Sequence, residues 1–198
     1  MSSYRPRLVA ISGSANRPSR SRALAQSIAS STAERLNVSI EVFDLIDAGP
    51  GLGAAFTRKE LSEQALRIIE AIENSDALIA VSPVYKGSYT GLFKHIFDFI
   101  APDKLLNRPV VIGATGGGHR HGLVVEHQLR PLFGFFSALT VPTSVYVSDD
   151  EFRDGVPHDK IVRERIDLAA AQLSALLLTR RNEVKPVRKA ELDPATAA

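Results

Sequence analysis

The sequence predicts an α/β protein built on one doubly wound parallel sheet, and three observations support this fold class. Short apolar runs alternate with longer stretches that have the 3.6-residue period of amphipathic helices, as in consecutive βαβ units. Polar or glycine-rich loops directly follow three of the apolar runs, and ligand loops of such sheets lie at the carboxyl ends of strands. The length of 198 residues suits a single domain of this kind.

Five strands and five helices alternate along the chain, and right-handed crossovers between parallel strands then give the strand order 2-1-3-4-5. Strands are predicted at residues 7–12, 38–43, 77–82, 109–115 and 140–147. Helices are predicted at residues 21–36, 58–74, 90–101, 122–139 and 159–178. Residues 47–56 are predicted as a surface loop and residues 179–198 as a disordered tail, so the predicted domain covers residues 1–178.

The composition argues against several classes of function. The formal net charge is +2 and the basic residues are interspersed with acidic ones, so nucleic acid is not an expected partner. The absence of cysteine rules out disulfides, thiolate metal sites and a cysteine nucleophile. The chain has no signal region and no apolar run long enough to cross a membrane, so we expect a cytoplasmic protein.

The loop after the first strand has the composition of a phosphate site. A helix is expected to begin near its end, so unpaired N–H groups and the positive end of the helix dipole face the loop. The side chains expected to bind are Ser12, Ser14, Asn16, Arg17, Ser19 and Ser21, with Arg20 beside them. The loop matches neither a Walker A sequence nor Gly-x-Gly-x-x-Gly, so a monophosphate such as that of FMN fits best. A serine-rich capped turn with solvated arginines is the alternative.

The loop after the third strand has the features of a platform for a flat heteroaromatic ring, which needs backbone N–H groups close to its edge. Pro83 fixes φ and Gly87 lacks a Cβ, so the turn is expected to present its amides from Val84 onward. Tyr85 is expected to pack against the ring, and Lys86 to offer a donor or charge near it. The alternative is an ordinary turn whose tyrosine is a core or interface residue.

The loop after the fourth strand is rich in glycine. Thr115, Gly116 and Gly117 lie at the strand end, and residues without Cβ let the backbone come into contact with a ligand. His119, Arg120 and a second histidine follow, and such a segment could bind a metal, act as an acid or base, or receive the phosphate of a nicotinamide nucleotide. His119 and Arg120 are the candidates for the nucleotide contact. A metal site is not expected, because the two histidines of this segment are spaced i, i+2 with no carboxylate close behind them.

Three blocks of the sequence resemble the NAD(P)H-dependent FMN reductases of flavodoxin-like fold. They are Gly13-Ser14-Ala15-Asn16-Arg17-Pro18-Ser19, Ser82-Pro83-Val84-Tyr85-Lys86-Gly87-Ser88-Tyr89-Thr90-Gly91 and Ala114-Thr115-Gly116-Gly117. The resemblance extends over about residues 7–178. Within the family, the chain is similar to the FMN reductases of two-component alkanesulfonate and methanesulfonate monooxygenase systems.

The resemblance implies a reaction, cofactors and partners. NADH or NADPH reduces FMN by hydride transfer to flavin N5, without a catalytic side chain. The reduced FMN, FMNH2, then passes to a flavin-dependent monooxygenase. In these relatives FMN is a dissociable substrate, and the enzymes are homodimers or homotetramers.

One segment carries the finer likeness. Leu123-Val124-Val125-Glu126-His127-Gln128-Leu129-Arg130-Pro131 matches a helix in which these reductases have a one-residue insertion that forms a π-bulge, and His127 occupies the inserted position. The likeness implies that this helix lies at a subunit interface. The apolar residues of 92–100 and 132–136 also exceed what one face of a core helix needs. An ordinary histidine on a helix surface is the alternative.

Three other functions stay open on the sequence alone. A quinone or azo-dye reductase of the same fold would keep FMN as a prosthetic group. An electron-transfer flavodoxin is usually strongly acidic, unlike this chain. An interaction module that has lost its cofactor would have no need of the intact serine and glycine loops.

Overall fold

The computed structural model describes residues 5–183. Its main sheet is formed by β1 (Arg7–Ser12), β2 (Ser39–Asp44), β3 (Ala77–Pro83), β4 (Pro109–Gly116), β5 (Leu139–Thr140) and β6 (Val145–Ser148). The strand order is β2-β1-β3-β4-β5, with β6 also paired to β4, and all these pairings are parallel. The predicted flavodoxin-like fold and the order 2-1-3-4-5 are confirmed, with the fifth strand present as two segments.

Helices connect the strands and cover both faces of the sheet. The α-helices are α1 (Arg20–Ala33), α2 (Leu45–Ala48), α3 (Gly51–Ala54), α4 (Glu63–Glu73), α5 (Gly91–Asp98), α6 (Arg130–Phe135) and α7 (Lys160–Glu183). The 3₁₀ turns are Arg58–Glu60, Pro102–Leu105, His119–His121 and Asp149–Glu151, and Val125–Leu129 is a π-helix. A hairpin of β7 (Phe152–Arg153) and β8 (Val156–Pro157) follows the sheet.

The period of two along the strands divides the core into two layers. Leu8 and Ala10 of β1 belong to a cluster that includes residues of α1 and α7, whereas Val9 and Ile11 belong to a cluster on the other face with residues of α4, α5 and α6. All four residues are fully buried. Because both faces are covered, the ends of the strands are where the sheet meets solvent, and the loops there form the site.

The fifth strand is interrupted in the middle. Pro109 and Val110 of β4 pair with Leu139 and Thr140, and β4 next pairs with the fifth strand through Gly113, opposite Val145. The fifth strand therefore has two more residues than β4 over this interval. Proline within the interruption has no N–H for the ladder, which is the physical reason for the break. The predicted strand 140–147 is correct in position but wrong in continuity.

Several predicted boundaries also differ. The predicted helix 58–74 begins only after Ser62, whose hydroxyl accepts the N–H of Ala65 and caps α4. The predicted loop 47–56 contains most of the short helices α2 and α3, and the predicted helix 122–139 is a π-helix followed by α6. Helix α7 continues to Glu183, five residues past the predicted end, and the rest of the predicted tail lies outside the described residues.

Most of the apolar residues that were expected to exceed the needs of the core belong to it. Those that are buried are Phe93, Ile96, Phe97, Ile100, Leu132, Phe133 and Phe136. Leu92 and Phe135 are exposed and Phe99 is half-buried. The exposed apolar surface available for a subunit contact is therefore much smaller than predicted. Within residues 5–183, no helix is both long and apolar enough to span a membrane.

Candidate functional site

A cleft of about 850 Å³ lies at the carboxyl edge of the sheet. The loops after β1, β3 and β4 meet there, together with the end of β6 and the β7–β8 hairpin. The predicted site residues that line it are Ser14, Asn16, Arg17, Ser19, Ser21, Pro83, Val84, Tyr85, Thr115, Gly116 and Gly117. The structure thus brings together residues from all three loops that the sequence singled out, as their position at strand ends predicts.

The loop after β1 leads directly into α1. Ser19 is the N-cap, and its hydroxyl accepts the N–H of Arg22 at 3.2 Å. The Ser14 hydroxyl bonds both the N–H and the carbonyl of Asn16. Ser12 is fully buried, does not line the cleft, and its Oγ has no hydrogen-bond partner among the described residues. The loop therefore presents a capped helix N-terminus to the cleft, but without Ser12.

The arginines of this loop and of the first turn of α1 have carboxylate partners, which the sequence did not predict. Arg17 donates Nε and Nη2 to the two oxygens of Asp44, at 2.8 and 2.9 Å, and Nη2 also reaches Asp47 at 2.6 Å. Arg22 donates Nη1 to the same two carboxylates, each at 3.0 Å. Arg20 pairs with Asp149 across the cleft at 2.9 Å. Each of these guanidinium charges is balanced by a carboxylate nearby.

The hydrogen bonds within this network shift the pKa values of its members. The bonds to Asp44 and Asp47 raise the pKa of the Arg17 guanidinium above its usual value. Partial burial raises the pKa of Asp47, but the bonds from Arg17, the Asp44 amide and Arg22 outweigh burial and leave that pKa below its usual value. Asp47 is therefore ionised at neutral pH, and the loop is held by ion pairs over the whole physiological range.

The loop after β3 is a tight turn with part of its backbone already bonded. The Val84 N–H donates to the carbonyl of Thr115 at 2.8 Å, and Tyr85 and Ser88 exchange N–H···O bonds of 2.9 and 3.2 Å. Lys86 and Gly87 have φ values of 53° and 85°, the left-handed conformation of a hairpin turn. Because its first two amides are occupied, the predicted run of free amides from Val84 onward is wrong. Lys86 and Gly87 are exposed and do not line the cleft.

The loop after β4 combines one crowded glycine with open space. A Cβ on Gly116 would lie 2.6 Å from the hydroxyl of Tyr146, which donates to the carbonyl of Gly118. A Cβ on Gly117 or Gly118 would meet nothing within 4 Å. Burial of Tyr146 raises its pKa, so the hydroxyl stays protonated and keeps this bond. Gly116 is needed for packing, whereas Gly117 lines the cleft and leaves open space there.

The histidines that follow this loop lie away from the cleft. His119 and Arg120 are not among the lining residues, and the His119 side chain is 71% exposed. His119 Nε2 is 4.0 Å from Asp150, and Arg120 Nε donates to His121. Over residues 5–183, the structure has no group of three or more His, Cys, Asp and Glu side chains that could hold a metal ion. The predicted contact of His119 and Arg120 with a nucleotide remains a hypothesis.

A fourth wall of the cleft was missed by the sequence analysis. It includes Asp149, which follows β6 directly, and Asp154 and Gly155 in the β7–β8 turn. Arg22 and Gln26 of α1 also line the cleft. Asp149 could have been predicted from the sequence, because the residue after a fifth parallel strand lies at the same edge of the sheet as the other three loops.

The π-helix is confirmed at the predicted segment. The N–H of Arg130 donates to the carbonyl of Val125, five residues earlier, and His127 lies in the middle of this turn with an exposed side chain. Glu126 of the same turn accepts hydrogen bonds from Arg130 and from Ser144 in the interruption of the fifth strand. The bond from Arg130, against the cost of partial burial, holds the pKa of Glu126 at about 2.

The cleft fits a flavin mononucleotide in size and in the groups it offers. Its volume lies in the range of small-molecule sites. A capped helix N-terminus with serine hydroxyls suits a phosphate, and the open space beside Gly117, which lines the cleft, suits a flat ring. A buried hydrogen bond of 2.8 Å between Ser21 and Thr115 fixes these two parts relative to each other.

Comparisons with known proteins agree with this fit. The family described as NADPH-dependent FMN reductase matches residues 6–152. The chain is 42% identical over 183 residues to the NADH-dependent FMN reductase SfnF of Pseudomonas fluorescens, covering 92% of this chain and 96% of the relative. It is 41% identical over 170 residues to an FMN reductase (NADPH) of Pseudomonas aeruginosa, covering 86% and 91%.

Solved structures give the same result. An oxidoreductase of Corynebacterium diphtheriae superposes with a TM-score of 0.80 and 34% identity, over 89% of this chain and 99% of that one. Relatives that use NADH and relatives that use NADPH occur at nearly equal identity. The chain belongs to the NADPH-dependent FMN reductase family, whose members are oxidoreductases that use FMN and a nicotinamide coenzyme.

Proposed function

We propose that the protein reduces FMN with NADH or NADPH in the cytoplasm and releases the reduced flavin to a flavin-dependent monooxygenase that acts on alkane- or methanesulfonates. The observation that carries the proposal is the meeting of the three predicted loops around one cleft of flavin size. The sequence relatives are named for the reduction of FMN. The identity of the monooxygenase substrate rests on the resemblance of the π-helix segment alone.

In this proposal the loop after β1 binds the phosphate of FMN. The first N–H groups of α1, beyond the one that Ser19 caps, point toward the cleft end of the helix and supply donors without a change in the loop. The hydroxyls of Ser14 and Ser21 and the amide of Asn16 lie along the same wall. These residues act by binding and orientation, since a phosphate remote from the reacting atoms takes no part in the chemistry.

The ring is proposed to lie between the loops after β3 and β4. Pro83, Val84 and Tyr85 form one side, and Thr115, Gly116 and Gly117 the other. When bound, FMN supplies the redox chemistry, because its N5 accepts the hydride that the nicotinamide C4 donates. The protein orients the two rings and excludes water, and it needs no side chain as an acid or base for this transfer.

A dissociable flavin is supported by the charge balance of the site. Arg17, Arg20 and Arg22 line the cleft, but all three are paired with aspartates. A dianion entering such a site gains less Coulomb energy than it would from unpaired guanidiniums. We therefore infer that FMN binds and leaves during each turnover, as delivery to a separate monooxygenase requires.

A homodimer or homotetramer with the π-helix at the interface is part of the proposal. Leu123 before the π-helix and Phe135 at the end of α6 are 66% and 70% exposed, and His127 is exposed between them. Large exposed apolar side chains around an irregular helix support burial against a second copy of the chain. Sedimentation equilibrium with wild-type protein and with Phe135→Asp would test this, because the variant should be a monomer.

The test of the proposed function is oxidation of NADH and NADPH by protein purified without added flavin, with and without free FMN. We expect colourless protein that oxidises the coenzyme only when FMN is added. Riboflavin serves as the control, since it has the ring without the phosphate and should show a higher KM. Yellow protein that reduces quinones or azo dyes without added FMN would contradict the proposal and indicate a prosthetic flavin.

A further inference from the structure

One ion pair joins opposite walls of the cleft. Arg20, the first residue of α1, places Nη1 2.9 Å from Oδ1 of Asp149, which follows β6. Both residues line the cleft, and their side chains are 50% and 48% exposed. The pair therefore lies where a phosphate bound at the N-terminus of α1 would be close to both charges.

Arg20 differs from the other two arginines of the cleft. Arg17 and Arg22 share Asp44, whose side chain is fully buried and also accepts N–H groups of the chain that follows β2. Their pairing therefore depends on a buried carboxylate. Arg20 has Asp149 as its carboxylate partner, and its guanidinium lies 5.9 Å from the ring of Phe152. Arg20 can change partner without disturbing a buried group.

We propose that Asp149 is a specificity-determining residue that weakens the binding of phosphate-bearing flavin by competing for Arg20. In the free protein the Arg20 guanidinium is paired with Asp149, so a phosphate dianion must share it or displace the carboxylate. This competition acts against FMN and does not act on the uncharged ring.

The proposal rests on the proposed function, because it takes FMN as the ligand of this cleft. It extends that function by assigning part of the weak hold on FMN to one side chain outside the three predicted loops. Asp149 does not touch the reacting atoms in this account. Its role is to set how readily flavin is released, which a reductase that delivers FMNH2 to another protein needs.

The variant Asp149→Asn tests the proposal, because it keeps the shape of the side chain and removes its charge. The dissociation constants of FMN and riboflavin would be measured by flavin fluorescence titration at low ionic strength. We expect FMN to bind about three- to fivefold more tightly, the range for a half-exposed ion pair. Riboflavin, which lacks the phosphate, should bind as it does to wild type.

Asp154→Asn is the matched control. Asp154 lines the same cleft, its φ of 51° is readily adopted by asparagine, and it forms no ion pair with the described residues. It removes the same charge from the cleft without releasing an arginine, so FMN affinity should change less than about twofold. In the background Arg20→Gln, the effect of Asp149→Asn should be lost.

The outcomes separate this inference from the proposed function. Wild-type protein that binds neither FMN nor riboflavin would contradict the function, and the inference with it. Wild-type protein that binds both, with Asp149→Asn unchanged or weaker for FMN, would overturn the inference alone. Equal tightening in Asp154→Asn, or tightening that persists in Arg20→Gln, would also overturn it, since the cause would be net charge. Thermal unfolding of each variant checks that the fold is retained.

Discussion

The loops after β1 and β4 face the same cleft but are built in opposite ways. The first is held by ion pairs, with Arg17 bonded to both oxygens of Asp44, a side chain with no exposure to solvent. The second has little around its outer residues, and a Cβ on Gly117 or Gly118 would meet nothing. The difference indicates separate roles. The loop after β1 fixes the position of a charged group, and the loop after β4 leaves room for a ring.

The two loops are joined where both are buried. The hydroxyls of Ser21 and Thr115 lie 2.8 Å apart, and both residues are nearly inaccessible to solvent. Loss of structure in either loop should therefore reach the other through this bond. Substitutions that affect only the rigid parts or only the open part test whether the two loops have these separate roles.

Removal of the Asp44 carboxylate should have the largest effect on stability. Asp44→Ala leaves Arg17 and Arg22 without their shared buried partner and removes the N-cap of α2. We expect a loss of about 3 kcal/mol in the free energy of unfolding, as for breaking one side of a buried pair. Urea unfolding followed by circular dichroism measures it.

Two further variants serve as controls for Asp44→Ala. Asp44→Asn keeps the capping oxygen and the shape, so it should cost about half as much as Asp44→Ala. Asp98→Ala removes one side of an exposed pair with Lys94 on α5 and should cost less than about 0.5 kcal/mol. If Asp44→Ala were no worse than Asp98→Ala, the loop after β1 would not depend on its ion pairs.

Neighbouring glycines of the loop after β4 should respond differently to the same change. Gly116→Ala forces a Cβ against the hydroxyl of Tyr146 and should cost about 2 kcal/mol of stability, as expected for overpacking. Gly117→Ala places its Cβ in open space and should change stability by less than about 0.5 kcal/mol. It should instead raise the KM for FMN, because the methyl group occupies the proposed ring space.

The clash at Gly116 can be relieved from the other side. In the double variant Gly116→Ala, Tyr146→Phe, the nearest atom at 2.6 Å is gone, and the remaining ring contact is an ordinary 3.5 Å. Part of the lost stability should return. Similar stabilities for the two single glycine variants would show that the crowded and open parts of the loop are not distinct.

The sequence was sufficient to predict where these loops lie but not how their charges are paired. Strand ends could be located because buried parallel strands are continuous apolar runs, and residue types such as Ser14 and Gly117 follow from what a phosphate and a ring need. The partner of Arg17 lies 27 residues away on β2. That contact depends on the register of β1 and β2, which no local pattern reports.

The fifth strand and the π-helix are two further features that a local sequence pattern did not fully predict. Pro142 signals a break in the predicted strand, but the two extra residues appear only when the strand is set against β4. The π-helix was expected through family resemblance, because one additional residue in a helix does not change its apolar period enough to be read. The two irregular segments are joined at Glu126, which belongs to the π-helix and accepts a hydrogen bond from Ser144 in the interrupted strand.

The loop after β4 continues into the π-helix, where an ion pair again holds an irregular segment, but a more exposed one. Glu126 accepts from Arg130 and from Ser144, and its side chain is 38% exposed, against 0% for Asp44. Its pKa is about 2, below the usual 4.5. A carboxyl whose pKa is lowered by folding stabilises the protein above its unfolded pKa, and this contribution is lost as the pH falls from about 4.5 to about 2.

The smallest of the three predicted losses of unfolding free energy depends on pH. Wild type should exceed Glu126→Gln in unfolding free energy by about 1 kcal/mol at pH 7, after allowance for solvent exposure, and the difference should shrink toward pH 3. Parallel urea titrations of the two proteins at both values measure it, with Glu164→Gln, on the exposed face of α7, as the control for loss of a carboxylate. A difference that stayed constant with pH would mean that Glu126 acts through shape and neutral hydrogen bonds, and the ion-pair account would then apply to the loop after β1 alone.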